Sequence, residues 1–96
     1  MQEMSATVAT PEPGRLINRL CKHFSHKIDA HWTTDTGYLG FSIGECRLAA
    51  EGETLTLICQ SPSSEELDEL GEVLASHLVR FARNQVTQVP WHASGA

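Results

Sequence analysis

The stretch Leu20-Cys21-Lys22-His23-Phe24-Ser25-His26-Lys27 sets one thiol, two imidazoles and two ammonium groups side by side. As a string it reads like a set of metal ligands, and helix geometry tests that reading. At about 100° per residue, Cys21 flanks an apolar stripe through Leu16, Leu20 and Phe24, and His23 lies roughly 160° away from Cys21. One ion cannot take both from an intact helix. His23 and His26 do share a face, and Arg15, Arg19, Lys22 and Lys27 surround them with positive charge. That face suits an anionic small molecule or an acidic protein partner; its plain alternative is a solvated surface balancing an acidic segment elsewhere. A metal site would need a third ligand beside His23 and His26, and His77 is the candidate for it.

The remaining thiols belong to a different pattern. Three cysteines at irregular spacing, with no Cys-x-x-Cys, imply free thiols in a reducing compartment and not a disulfide framework. Counting back from a two-residue turn at Gly52-Glu53 pairs Ala50 with Leu55, Leu48 with Leu57 and Cys46 with Cys59. Cys46 and Cys59 are then cross-strand neighbours in the core, and buried cysteine behaves as a small apolar side chain. The same count at Gly44-Glu45 pairs Ile43 with Cys46 and Phe41 with Leu48. A small thiol enzyme is a further alternative, but no local residues supply a Cys–His pair with an orienting acid. His31 and Trp32 fall on opposite faces of one strand, so they do not form a joint stacking platform. Neither a phosphate-binding loop nor a Gly-x-Ser-x-Gly elbow is present.

The elements that position these groups follow from periodicity. Ser5 to Thr10 alternates as a strand; Thr10 can cap a helix over about 13–26, with Pro11 in its first turn. Four alternating segments from Ile28 to Cys59, separated by Gly-containing turns, predict an antiparallel meander. Leu67, Leu70, Leu74, Leu78 and Phe81 hold one face of a second helix over about 64–83, with Glu65 and Glu66 in its first turn. Val86 to Trp91 could add a last strand, which Pro90 confines to an edge or bulge, and His92 to Ala96 reads as a frayed tail. Each helix has one apolar stripe and the meander one apolar face. The expected fold is a two-layer α+β sandwich with both helices on one side of the sheet.

Composition sets outer bounds. The chain has 96 residues, a formal net charge of −5 and an apolar share of 41%, which fits a single domain with an ordered core over about 5–91. The negative balance speaks against nucleic acid as a partner. The N-terminal residues lack a signal-peptide pattern, and no apolar run reaches the ~20 residues of a membrane span, so a cytoplasmic location is expected. Nothing in the pattern distinguishes a monomer from a homodimer.

The strand, helix, four strands, helix order resembles the TATA-binding-protein-like arrangement in topology, which implies nothing about function. Thr7-Val8-Ala9-Thr10-Pro11, the Cys21–Lys27 stretch, Gly44-x-Cys46-x-Leu48 and His77-Leu78-x-Arg80-Phe81-Ala82 resemble the bacterial family DUF2218 over about Ser5 to Trp91. The resemblance implies a small bacterial α+β protein and carries no established activity. It keeps the metal alternative in view, with iron or zinc as the ion. No cofactor is otherwise expected, and a non-enzymatic binding module is the leading expectation.

Overall fold

A computed structural model describes residues 1–83 and 85–93. The chain runs β1 (Gln2–Ala9), α1 (Pro13–Phe24), β2 (Asp29–Trp32), β3 (Thr36–Phe41), β4 (Gly44–Glu51), β5 (Thr54–Ser61), α2 (Ser64–Ala82) and β6 (His92–Ala93). The strands form one antiparallel sheet in the order β2-β3-β4-β5-β1-β6.

Alternation along each strand divides the sheet into a dry and a wet face. Opposed residues share a face, so Met4, Cys59 and Cys46 make one row and Ala6, Leu57 and Leu48 the next. All six are buried. On the other face Thr7, Arg47, Ala49 and Ile58 are exposed. Helix α1 lies against β2 to β5, α2 against β1, β4 and β5, and the two helices touch each other. Both therefore cover the dry face, as two apolar stripes and one apolar sheet face require. Leu16, Leu20, Phe24, Leu70, Leu74 and Leu78 are buried as expected, whereas Phe81 is half-buried at the helix–helix boundary.

The β4–β5 register agrees with the sequence count: Cys46 opposes Cys59, and Gly52 turns at φ 61°. The β3–β4 register does not. Its turn is Ser42-Ile43, so Leu39 opposes Cys46 and Phe41 opposes Gly44. The reason is steric. Gly44 sits in the ladder at φ 156°, where a side chain would strike the Gln60 carbonyl oxygen and the Ser61 hydroxyl. The displacement is an even number of residues, so the apolar set stays on the dry face.

Three helix and strand ends also differ from expectation. Thr10 is buried and ends β1, its N–H donating to the Glu53 carbonyl at 2.9 Å; the N-cap of α1 is Glu12, and Pro13 takes the first turn. At the other end of α1, the N–H groups of Lys27 and Ile28 both donate to the Phe24 carbonyl at 3.0 Å, stopping the helix before His26. The last strand is His92–Ala93, opposite Ser5 and Met4, and not Val86–Trp91. Pro90 has no N–H to give a ladder, so pairing begins only after it, within the segment read as a frayed tail; Ser94 to Ala96 lie outside the described residues.

Leu74 has no exposed surface. Leu74→Ala should lower unfolding free energy by about 2–5 kcal/mol, measured by denaturant titration; a loss under about 1 kcal/mol would contradict its place in the core.

Candidate functional site

The apolar stripe of α1 leaves Arg15, Arg19, Lys22 and His23 outward, and all four are exposed, as are His26 and Lys27 in the following turn. The helices run antiparallel, so the N-terminal turns of α1 lie beside the C-terminal turn of α2. This packing enlarges the basic surface. Arg80 and Arg83, not among the residues expected from the sequence, come from α2 to join it. Of the seven Lys and Arg residues, Arg47 alone lies away from this region, on the wet sheet face.

A cleft of about 410 Å³ opens where the helix ends meet, lined by Glu12, Arg15, Arg19, Phe81, Arg83 and Gln85 among others. Phe81 organises its floor. The Arg19 guanidinium carbon lies 5.1 Å from the ring centroid, a cation–π contact that holds the side chain flat and outward. Arg83 adopts φ 55° beyond the last helical residue, so the chain turns there and delivers the residue to the cleft rim. Arg15 and Glu12 approach to 3.8 Å with both side chains about two-thirds exposed, a pair that contributes under about 1 kcal/mol. Among the described residues neither Arg19 nor Arg83 forms an ion pair. The acids of α2 do not reach this face: Ser63 Oγ donates to Glu66 Oε1 at 3.1 Å while the Glu66 N–H donates to Ser63 Oγ, a reciprocal cap at the far end of α2.

Next to the cleft, across Phe81, lies a ring cluster. The His23 centroid is 5.4 Å from Phe81, 5.1 Å from Phe24 and 5.0 Å from His77. His77 Nδ1 is 2.7 Å from the Val73 carbonyl oxygen. A carbonyl only accepts, so Nδ1 carries the hydrogen and Nε2 keeps its lone pair when the ring is neutral. His23 titrates below its usual value: desolvation contributes most, followed by the fields of His77, Lys27, Arg80 and His26. The structure thus brings His23 and His77 together, but among the described residues no three His, Cys, Asp or Glu side chains are placed to hold a metal ion. His26 does not complete a set with the other two.

Burial disfavours the thiolate form of two of the three cysteines. Burial pushes the Cys21 thiol up to about 11, partly opposed by a hydrogen bond from the Tyr38 backbone. Burial and a hydrogen bond with Cys59 raise Cys46 well above the ordinary thiol value. All three cysteines are free and buried, and thiols held protonated, as those of Cys21 and Cys46 are, do not attack.

Fold and site together define a two-layer α+β sandwich with a basic cleft between its helices. The chain belongs to DUF2218, a family described as uncharacterised proteins conserved in bacteria, which it matches over residues 5–92. It is similar to the NMR structure of PA4090 from Pseudomonas aeruginosa, at 32% identity and a TM-score of 0.82, covering 96% of each chain. No functionally curated protein matches it. No helix among the described residues is long and apolar enough to cross a membrane.

An NMR pH titration of the ring resonances should place the His23 midpoint below 6.5. Its charged form is disfavoured by folding, so this group's contribution to stability is present above 6.5 and lost as pH falls through the lower midpoint. A midpoint at or above 6.5 would show that desolvation and the neighbouring charges do not act on this ring together as placed here.

Proposed function

We propose that the protein is a non-enzymatic binding module whose cleft between α1 and the end of α2 takes a small anionic ligand or an acidic side chain of a partner. One observation carries the reading: three guanidinium groups, Arg15, Arg19 and Arg83, meet at one cleft with a single carboxylate, Glu12. Guanidinium forks match carboxylate and phosphate oxygens two at a time, and each charge-assisted hydrogen bond contributes about 1.5–3 kcal/mol. Arg19 is already held by Phe81, so less side-chain freedom is lost when an anion arrives. Lys22, His23, His26 and Lys27 extend the same positive field along α1 and favour approach of an anion over a cation.

An amide NMR titration with sulfate, phosphate and citrate tests this. Shifts should concentrate at Arg15, Arg19 and Gln85 and weaken as salt rises, because exposed charges are screened beyond about 8–10 Å at physiological strength. Arg19→Ala/Arg83→Ala should abolish the response, while Lys22→Ala/His26→Ala should only reduce it. With sulfate, whose charge is constant, affinity should rise as pH falls below 6.5, since a bound anion favours charged His23. If no anion moves the cleft resonances, or the double arginine variant responds as the parent does, the basic face is a solvated surface.

A further inference from the structure

The outer face of α2 carries charges that neither the core nor the cleft uses, flanked by two half-buried valines, Val73 and Val79, that pack against the edge of the core. With Ser76 as origin and about 100° per residue, Glu72 and Arg80 lie about 40° to either side, Val73 and Val79 about 60°, and Glu65 and Glu69 within about 20°. Leu70, Leu74 and Leu78 occupy the opposite side and are buried. The outer stripe therefore reads acid, valine, serine, valine, base, and it is symmetric about Ser76 in position and antisymmetric in charge. The helix dipole accounts for Glu65 in the first turn and Arg80 in the last, but its influence ends within a turn. It does not account for Glu69 and Glu72. Those two repel each other and Glu65 along the stripe, and among the described residues neither forms an ion pair. Val73 and Val79 are only half-buried and border a shallow groove of about 840 Å³ between α2 and residues 87–89.

We infer that this stripe is a self-complementary surface whose occupant is a second copy of the chain, with the two α2 helices antiparallel about a two-fold axis at Ser76. Residues equally far before and after Ser76 then meet. Glu72 of each copy comes level with Arg80 of the other, within reach of their long side chains, and the valines lie on the two flanks of the seam, so the charge pairing occurs twice. On the wet sheet face, by contrast, Arg47 lies 3.9 Å from Glu45 and Gln60 donates to Glu3, so those charges have partners within the chain. Arg15, Arg19 and Arg83 of the cleft lie outside the stripe, so Glu72→Arg tests self-association without altering a cleft residue, whereas Arg80 borders both surfaces.

Light-scattering and sedimentation of the full chain provide the test, backed by a crosslink. At low salt the mass should climb from 10.6 kDa towards twice that with concentration, and fall back at high salt. Glu72→Arg, which creates two like-charged pairs, should weaken association by at least about tenfold. Glu72→Arg combined with Arg80→Glu should restore it, because the exchange keeps every pair opposite. Ser76→Cys should form a symmetric disulfide under mild oxidation much faster than Thr56→Cys on the sheet face; the native thiols are buried and do not compete. A monomer up to about 1 mM at low salt, a double exchange that stays monomeric, or equal crosslinking at the two positions would each overturn the inference.

Discussion

One apolar sheet face has to be covered by two helices that the chain lays down in opposite directions, and the rest of the molecule depends on that docking. Leu16, Ile17, Leu20 and Cys21 from α1 and Leu70, Leu74 and Leu78 from α2 close over the rows built by Met4, Ala6, Leu48, Leu57, Cys46 and Cys59. The contact between the helices runs through aromatic rings: His23 and His77 lie 5.0 Å apart by centroid, and each lies within 4.8–6.2 Å of both Phe24 and Phe81. Because the helices are antiparallel, the basic last turn of α2 arrives beside the basic first turns of α1. Like charges meet there, and among the described residues only Arg15 has an acidic partner, Glu12, at a site with a net positive field on a protein of net charge −5. Such a placement costs Coulomb energy unless an outside anion offsets it.

Local patterns legible in the sequence concern periodicity and parity. Both helices, the meander and the Cys46–Cys59 opposition follow from side-chain periods of 3.6 and 2 together with one two-residue turn. The β3–β4 turn was not legible, because Gly44-Glu45 offers good turn chemistry while the deciding fact is long-range: the Gln60 backbone leaves room only for glycine at position 44. Thr10 misleads for a similar reason. It has cap chemistry, but Glu53 claims its N–H for the sheet, and its buried hydroxyl lacks a hydrogen-bond partner. Half of the cleft was legible as the basic face of α1. Arg83 was not, since helical spacing says nothing about which end of a second helix will lie nearby, nor about a residue at φ 55° beyond its last turn.

The charges of α2 are sorted along its length in a way that separates two surfaces. Its base-rich end contributes to the cleft, and its outer stripe holds acid and base at matched distances from Ser76. Histidine chemistry falls between them. The hydrogen bond from His77 Nδ1 to Val73 fixes that ring's orientation, and desolvation, followed by the fields of His77, Lys27, Arg80 and His26, keeps His23 neutral to lower pH.

Coverage of the sheet on one side only has a consequence for how this sequence can drift. Along β1, β4 and β5, every second residue is locked by packing at close to full density, while its neighbours, Thr7, Ala49 and Ile58 among them, face water. A map of tolerated substitutions would therefore be striped at a period of two, strict and permissive by turns. The permissive stripe is a platform about three strands wide, to which new side chains can be fitted at little risk to the fold.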